Sequence, residues 1–370
     1  MPIDCSKLPN EAQLVLKQYP EFQIGEFNDS GANGYVLVGM QAVLRKKVAI
    51  KVYFHSGSEM VHEPAIIAKI NHANVLKVYD ARKLTDNCSF FVMPAAGDGD
   101  LLSFLERYSL SHSLAHSLLC QLLSGVAALH AKPNMLVHRD LKPANLLVHD
   151  DSLLIADFGS VRKVAPDTGC APASRHSILY RPPEAFGDNG YFDFSSDLYQ
   201  IGLIGFLLFG GRISENLLDH LNDKQRSEVK RLEATADSFS VSQYIDSCLY
   251  DKIKRGRLID LASLPCVVPK KIKTILRKAI SYTSRYSTTC EFLADLNNAR
   301  GSFPDWIVHS DKMELRNWNK RDYLLCREGD VFLAKKRKSG ASKYQIDNSI
   351  GKSTAIEDVY ATLKLKLKLK

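Results

Sequence analysis

The stretch Leu136 to Val148, LVHRDLKPANLLV, limits the fold more than any other part of this sequence. It places a His, an Arg, an Asp, a Lys and an Asn within eight residues, between two apolar segments. Short apolar segments of this kind are typical of buried strands, and a buried charge is costly unless it is paired. The stretch therefore predicts a strand–loop–strand unit whose polar loop brings several charged groups together.

The hydrophobic pattern changes twice along the chain. Up to about residue 96, segments such as YVLVGM and KVAIKVY predict a mostly antiparallel sheet with one helix. After Gly97, apolar residues recur at three-to-four spacing, as at Leu114, Leu118 and Leu122, which predicts helices. The first ends near His130, and the others are predicted at about 196–210, 224–235, 241–255, 269–281 and 288–299.

From residue 301 the pattern returns to strands. GDVFLAKKRKSGASKYQI predicts a β-hairpin, and the strict alternation of LKLKLKLK at 363–370 predicts an edge strand with one apolar face. We predict an α+β protein with an N-terminal extension (1–20), a β-rich lobe (21–96), an α-rich lobe (97–300) and a small basic β module (301–370).

Composition excludes several classes of protein. The net charge of the 370 residues is +8, and residues 301–370, with 15 Lys and Arg against 9 Asp and Glu, account for +6 of it. The eight cysteines form no CxxC pair, so neither a zinc knuckle nor a redox motif is predicted. The longest apolar run, about nine residues, falls short of the ~20 needed to span a bilayer. We expect a cytoplasmic protein with reduced cysteines, with the nucleus as the alternative for a eukaryotic source.

A lysine stands within an apolar segment, VAIK, at Lys51. Such a lysine lies either on an edge strand or beside an acid, and Glu63, twelve residues later in a predicted helix, is the candidate acid. Upstream, Gly31 and Gly34 in DSGANGYV allow the backbone to cradle phosphate, although a hairpin turn explains such a pair in most proteins.

Two further polar residues suggest a metal site. Asp157 follows an apolar strand in IADFGS, and Asn145 stands twelve residues before it. Mg²⁺ prefers one or two such oxygen ligands together with phosphate oxygens. With Asp140 and Lys142 on the same loop as Asn145, the chain offers a base, a cation and a metal ligand, which are the groups that phosphoryl transfer requires.

These elements resemble the eukaryotic-type (Hanks-type) protein kinase family. GANGYV, VAIK, HRDLKPAN, DFG, PPE and SSDLYQIG stand in the family's order over about three-quarters of the chain, and LKPAN is similar to the Ser/Thr-specific version. The resemblance implies a bilobal fold, with an antiparallel N-lobe sheet carrying one helix and a mainly helical C-lobe. It also implies transfer of the γ-phosphate of ATP, with Mg²⁺, to Ser or Thr hydroxyls of protein substrates.

The resemblance further implies a role for each matching residue. Asp140 would orient the substrate hydroxyl, Lys142 would steady the transferring phosphate, and Asn145 and Asp157 would hold Mg²⁺. Lys51 would bind the α- and β-phosphates and pair with Glu63. The nucleotide would lie among Gly31, Gly34, Val36, Ala49, Met93, Ala95 and Leu147, with Pro94 to Ala96 as the hinge. His138 and Phe158 would stack in a spine anchored by Asp197, and Glu184 would pair with Arg285.

Several positions depart from the family pattern. Asp29 replaces the first glycine of the phosphate loop, and Ser177 stands where a Thr is usual. Pro64 directly follows Glu63, so the helix either starts late or is bent, and Glu59 is the alternative partner of Lys51. Ser174, in the loop that faces Arg139, is the candidate phosphorylation site, with an unmodified serine as the alternative.

The sequence leaves open what residues 301–370 bind. KKRK, Lys335 to Lys338, resembles a nuclear import or nucleic-acid signal, but a solvated hairpin connection is the preferred interpretation. Nucleic-acid binding is not expected, because no aromatic cluster accompanies it, and residues 301–370 are a candidate site for a partner protein. An active kinase is favoured over a pseudokinase scaffold, in which the tail would be the interaction module, and over a small-molecule phosphotransferase.

Overall fold

A computed structural model describes residues 3–31, 34–55, 62–173, 177–187, 189–301 and 303–369. The N-lobe is an antiparallel sheet of five strands in the order β1–β2–β3–β5–β4. The strands are β1 (Phe22–Gly31), β2 (Gly34–Gln41), β3 (Lys46–Phe54), β4 (Asp80–Thr85) and β5 (Cys88–Pro94). Because successive side chains of a strand face opposite sides, β3 directs Val48 and Ile50 to one face and Ala49 and Lys51 to the other.

The two faces of this sheet are covered differently. Helix α1 (Asn10–Gln18) packs on the outer face, where Ala12 and Val15 are fully buried against side chains such as Ile50. On the inner face, Lys51 bonds Glu63 of α2 (His62–Ile67), and Ala49 and Met93 lie in one cluster with Ala156 of the C-lobe. Pro64 is the third residue of the described part of α2, and residues 56–61 lie outside the described ones. Both alternatives, a late start of the helix and a bend in it, therefore stay predictions.

The C-lobe is mainly helical, so the predicted fold class is confirmed. Its helices are α3 (Leu101–Arg107), α4 (His112–His130), α5 (Phe194–Leu208), α6 (Asp223–Thr235), α7 (Ser238–Lys254), α8 (Lys270–Ala279) and α9 (Thr289–Arg300). Short strands lie between α4 and α5: β6 (Leu136–Val137), β7 (Leu146–His149), β8 (Ser152–Ile155), β9 (Arg162–Lys163), β10 (Ala171–Pro172) and β11 (Tyr191–Phe192). The β7–β8 hairpin and the β6–β9 pair frame the polar loop found in the sequence.

Helix α4 is the one helix in the described ranges that is long and apolar enough to cross a bilayer by length and composition. Its side chains Leu118, Leu119, Leu122 and Leu123 are fully buried in the C-lobe core, and more than half of the helix is buried. Core helices of folded domains pass the same test of length and composition, so this helix is weak evidence for a membrane span.

The tail combines a sheet with a helix. Strands β12 (Trp306–Val308), β13 (Lys312–Trp318), β14 (Arg321–Glu328), β15 (Val331–Lys338) and β16 (Gln345–Ile346) form an antiparallel meander. Helix α10 (Ile356–Leu367) packs on it through Val359 and Leu363. The edge strand predicted for 363–370 is therefore wrong over its described part, most of which is helical.

The alternating Leu and Lys residues fit a helix for a physical reason. Leu363 and Leu367 are four residues apart, so on a helix they continue the apolar stripe of Val359. Leu365, between them, is 80% exposed. Acids in the first turn and lysines in the last turn complement the helix dipole. The repeat is compatible with both the two-residue period of a strand and the helical spacing. The helix forms because it buries its apolar stripe against the tail sheet.

The basic KKRK segment lies within strand β15 and not in the hairpin connection, so that part of the prediction is wrong. Lys335 pairs with Glu328, Lys336 Nζ lies 2.8 Å from Asp347, and Arg337 Nε lies 2.8 Å from Asp322. The hairpin itself is present, because β15 pairs with β16. The charges of this segment are largely neutralised within the tail.

The tail is seated on the C-lobe at the start of α4. Ile307 of β12 bridges to Ser111, and the Ser113 N–H donates to Asp305 Oδ1 at 2.6 Å. Next to this contact, His112 is buried between the rings of Phe209 and Phe303, and burial lowers its pKa to about 4. The boundaries at residues 20, 96 and 300 stay predictions, but the tail and the lobe share a packed interface.

The helical phase of α10 predicts unequal roles for two leucines that a strand would place on one face. We expect Leu363→Ala to lower the free energy of unfolding by about 2–4 kcal/mol, because it leaves a cavity under α10. Leu365→Ala should change it by no more than about 0.5 kcal/mol. Both tryptophans, Trp306 and Trp318, lie in the tail, so their fluorescence during urea unfolding measures this directly. Equal effects of the two substitutions would contradict the helix and support the predicted edge strand.

Asp347 joins β15 to α10 and makes the tail sensitive to acid. It is fully buried and accepts from Lys336, Lys366 and Ser349. Burial alone would raise the pKa of Asp347, but the two ammonium groups and the hydroxyl outweigh it and hold the pKa below its ordinary value. This stabilisation is present above the unfolded pKa of about 4 and is lost as the pH falls below it.

We therefore expect the tail to lose stability between about pH 5 and pH 2. Asp347→Asn should cost roughly 1.5–3 kcal/mol at pH 7 and flatten this dependence. Asp330→Asn, at a fully exposed side chain, is the matched control. Tryptophan-monitored denaturation over that pH range is the measurement, and an unchanged pH profile in the Asp347 variant would contradict the assignment.

Candidate active site

Three charged side chains from three elements meet between the lobes. Lys51 Nζ of β3 lies 2.9 and 3.0 Å from the two carboxylate oxygens of Glu63 of α2, and 3.1 Å from Asp157 Oδ1, which follows β8. Lys51 therefore lies beside an acid, as the apolar context of VAIK requires. The alternative partner, Glu59, lies outside the described residues.

This arrangement fixes the ionisation of the two groups that border the cleft. Burial would lower the pKa of Lys51, but Glu63 and Asp157 outweigh it and raise the pKa. Burial would raise the pKa of Asp157, but the Lys51 ammonium outweighs it and lowers the pKa. Both groups are therefore charged at neutral pH. The Asp157 side chain keeps 47% exposure, so its carboxylate is open to the cleft.

The backbone around Asp157 turns its carboxylate toward Lys51 and its neighbour into the core. Asp157 adopts a left-handed conformation with φ 55°, and the following Phe158 is fully buried. The Phe158 N–H donates to Glu63 Oε1 at 3.1 Å, and its ring lies edge-on to His138 at 5.5 Å. The position of α2 is thus tied to the segment that carries Asp157.

The polar loop is held from beneath by a buried carboxylate. Asp197 of α5 is fully buried and accepts from the N–H groups of His138 and Arg139 at 2.9 and 3.0 Å, and from the His130 ring at 2.9 Å. Arg139 has a φ of 70°, which few side chains adopt. These bonds fix the loop one residue before Asp140.

Asp140, Lys142 and Asn145 lie close together on this loop, and Asp140 and Asn145 are buried. Asp140 Oδ2 accepts from Asn145 Nδ2 at 3.0 Å and lies 3.1 Å from Lys142 Nζ. Asp140 Oδ1 is buried and has no hydrogen-bond partner in the described part of the chain. A buried acceptor without a partner is costly, so a donor that reached this oxygen would be bound favourably. Lys142 also donates to Ser177 Oγ at 2.7 Å.

An apolar cluster lies beside these charges. Ala49, Met93 and Ala95 are buried in it, and Val36 and Leu147 pack against it. Apolar side chains of this kind line the sites that bind flat ring systems. The residues predicted to surround the nucleotide base are therefore brought together.

The two glycines of the predicted phosphate loop have a simpler structural explanation. A Cβ on Gly34, which has a φ of 154°, would lie 2.0 Å from the Val52 carbonyl oxygen, so the β2–β3 pairing itself requires glycine there. Gly31 pairs with Gly34 across the β1–β2 ladder. Residues 32–33 lie outside the described ones, and Asp29 is exposed.

The segment from Asp157 to Glu184, which contains the predicted phosphorylation site, is bound to the polar loop through Arg139. Its guanidinium donates to the carbonyl oxygens of Ser160 and Pro172, and burial lowers its pKa to about 10. The candidate phosphorylation site Ser174 lies outside the described residues. Burial and the nearby Asp193 raise the pKa of Cys170 in the same segment and so disfavour its thiolate.

A buried ion pair supports the end of this segment. Arg285 binds both carboxylate oxygens of Glu184 at 2.6 and 3.1 Å, and both side chains are more than 90% buried. Ser196 Oγ donates to the same carboxylate at 2.6 Å. The predicted pairing of these two residues is therefore present in the structure.

Two residues of the site were missed in the sequence. The buried Gln200 accepts from the Leu141 N–H at 2.9 Å and donates to the carbonyl oxygens of Arg139 and Tyr180. His130 bonds Asp197, as described above. The sequence offered one sign of the role of Gln200. It lies three residues after Asp197 in a mainly apolar predicted helix, so the two side chains share one face of that helix.

Comparison with known proteins identifies this architecture. Residues 23–290 match the family described as "Protein kinase domain". The chain is 28% identical over 349 residues to the probable serine/threonine-protein kinase KCC4 of Saccharomyces cerevisiae, covering 88% of this chain and 32% of that protein. It is 28% identical over 253 residues to the stress-activated protein kinase jnk-1 of Caenorhabditis elegans, covering 62% and 52%.

A bacterial relative is similar to the same degree. The serine/threonine-protein kinase pkn2 of Myxococcus xanthus is 29% identical over 200 residues, covering 50% of this chain and 24% of that protein. The chain thus spans between a quarter and about half of the length of these relatives. Since the family match covers most of the chain and the charged groups stand in the family's order, the chain belongs to the protein kinase family.

Proposed function

We propose that this chain is a protein kinase that uses ATP and Mg²⁺ to phosphorylate Ser or Thr hydroxyls of protein substrates. The observation that carries the proposal is the joined set of Lys51, Glu63 and Asp157 beside a loop whose Asp140 Oδ1 lacks a partner. A cation beside the phosphates, an exposed carboxylate for the metal and an acceptor for a hydroxyl are the parts that phosphoryl transfer needs.

The residues present fit both implied groups. The apolar cluster around Ala49 and Leu147 suits a nucleotide base, and Lys51, two residues after Ala49, bonds Asp157. Asp157 and Asn145 would hold Mg²⁺, which supplies positive charge that neutralises the phosphate oxygens. Glu63 holds Lys51 in place, and the bond from Phe158 to Glu63 keeps Asp157 in register with it.

The chemistry of transfer rests on the loop. A substrate hydroxyl would donate to Asp140 Oδ1, which would orient its oxygen toward the γ-phosphate. Asp140 would accept the proton as the new P–O bond forms and the P–O bond to the leaving ADP breaks. Lys142, 3.1 Å from the other oxygen of Asp140, would stabilise charge on the transferring group. Asn145 holds Asp140 through its amide and so limits the rotation of the carboxylate.

The bond from Lys142 to Ser177 joins the loop that carries Asp140, the catalytic loop, to the segment on which a substrate peptide would lie. Selection of Ser and Thr is supported by the relatives. All three are named as protein kinases, and two of them as serine/threonine-protein kinases. A pseudokinase scaffold receives no support from the site, because every charged group named above is in place.

We propose the cytoplasm as the compartment of the protein. KKRK supports the nuclear alternative only weakly, because three of its four side chains are engaged by carboxylates within the folded tail. A partner protein that binds residues 301–370 stays a proposal.

Removing the metal-facing carboxylate tests the proposed activity. We expect Asp157→Ala to lower the rate of Mg²⁺-dependent labelling of generic protein substrates by at least ~10²-fold, since it removes a metal ligand and a partner of Lys51. The control is Asp150→Ala, at an exposed turn. Radiolabelled ATP and phosphoamino-acid analysis give the readout. Labelling of small molecules alone, or no labelling by the unchanged protein, would contradict the proposal.

The role of Lys51 separates nucleotide binding from folding. We expect Lys51→Met to weaken binding of a fluorescent ATP analogue and to reduce phosphorylation by about 10²-fold or more, because the phosphates lose a buried cation. Lys47→Met, on the same strand but paired with Glu26 at the surface, should change neither by more than about twofold. Thermal unfolding checks that both variants fold. Equal activity of the two variants would overturn the assignment.

A further inference from the structure

The densest basic segment of the chain lies in the C-lobe and not in the tail. Residues 252–285 contain ten Lys and Arg and one acidic residue, Asp260, so this segment carries +9 and the rest of the chain −1. The small net charge of the first 300 residues hides it, because the lobes around it are acidic. A single-sign segment of this density creates a strong local field.

The fold gathers part of this segment around one cavity. The end of α7, the connection after it and the end of α8 enclose about 700 Å³. Lys254, Arg255, Arg257 and Arg277 line it, and all four are exposed. We refer to it as the basic cavity. None of Lys51, Asp140, Asn145 or Asp157 lines it.

The charges of the basic cavity are not neutralised within the protein. Over the described ranges, none of its four cations lies within ion-pair distance of a carboxylate. The one acid of the lining, Asp260, accepts from the Ala262 N–H at 2.8 Å and caps a short helical turn. The tail shows the opposite pattern, because Lys336, Lys366 and Arg337 each contact a carboxylate.

Helix ends explain only some of these residues. Lys254 and Arg277 lie in the last turns of α7 and α8, where a cation complements the helix dipole. That effect decays within the last turn, and Arg257 lies beyond the end of α7. Arg255 and Arg257 flank Gly256, whose φ of 63° reverses the chain so that both border the cavity.

The geometry points to an anionic peptide segment of a protein substrate as the occupant of the basic cavity. Three guanidinium groups favour carboxylate or phosphate groups, which they bind in bidentate fashion. The cavity is a single concave site, and Tyr282 is its one aromatic side chain in the described lining, whereas single-stranded nucleic acid needs an extended groove with stacking rings. The inference rests on the proposed function in that the occupant belongs to a substrate.

Such a site would act by docking. A substrate held at the basic cavity by an acidic segment would present its hydroxyl to Asp140 at a raised effective concentration. The benefit should appear in KM and not in kcat, since no group of the cavity touches the reacting atoms.

Direct binding tests the cavity without any need for catalysis. Two fluorescein-labelled peptides serve as probes, one of eight glutamates and one in which phosphoserine alternates with glycine. For the full chain at 100 mM salt we expect Arg255→Glu combined with Arg257→Glu to weaken binding of one or both peptides by about tenfold or more. Arg277→Glu, from the other side of the cavity, should weaken it in the same direction. The peptide that binds more tightly identifies carboxylate or phosphate as the preferred anion.

The matched control carries the same change of charge within the same basic segment. Lys270→Glu combined with Lys271→Glu lies at the start of α8, outside the cavity, and should weaken binding by less than about twofold. Equal weakening by both double variants would show unspecific attraction and overturn the site. So would a twelve-nucleotide single-stranded RNA that binds more tightly than either peptide and is lost in the cavity variant.

A kinetic arm separates this inference from the proposed function. A generic protein substrate is compared with the same substrate carrying the glutamate segment. We expect the segment to lower KM by several-fold, and the cavity variant to abolish that difference with unchanged kcat. Peptide binding without phosphorylation by the unchanged protein would overturn the kinase assignment and leave the cavity standing. Phosphorylation with no effect of the segment would overturn the docking role alone.

Discussion

The carboxylate of Asp197 is the constraint on which the catalytic loop depends. It is fully buried and receives three hydrogen bonds, two from the backbone of His138 and Arg139 and one from His130. A buried charge of this kind is tolerated only when it is fully hydrogen-bonded. If the loop moved away from α5, the Asp197 carboxylate would stay buried without its two backbone hydrogen bonds, which is energetically costly. One turn later, Gln200 holds the Leu141 N–H, so Asp140 stands between two anchors on a single helix.

Much of the site could be predicted because charged residues in apolar surroundings require partners. Lys51 in VAIK and Asp157 after a strand are unusual on their own, and the spacing to Glu63 and Asn145 completes the pattern. The contact between Lys51 and Asp157 joins residues 106 positions apart, and no local pattern in the sequence predicted it. His130 and Gln200 escaped notice because uncharged polar residues in a helix carry little signal until the fold shows what they face.

Where prediction failed, two patterns overlapped or an average concealed a contrast. The alternation of leucine and lysine fits a strand. Every second leucine also has the four-residue spacing of a helix, and the helix forms because those leucines are buried against the tail sheet. Pairing of KKRK with Asp322, Glu328 and Asp347 depends on strand register, which no local pattern specifies. The net charge summed over the first 300 residues is small, because the positive charge of residues 252–285 is offset by an excess of acids in the other residues. The sum therefore concealed the basic segment.

Helix α4 contacts the tail at one end and the support of the catalytic loop at the other. Its first turn receives the tail through Ser113 and Asp305, and its last residue, His130, holds the carboxylate that anchors the catalytic loop. A straight helix of 19 residues spans about 28 Å. The tail and the catalytic loop therefore contact opposite ends of the same helix. Displacing the tail would remove a backbone hydrogen bond at the first turn of α4 and leave the bond from His130 to Asp197 at its other end.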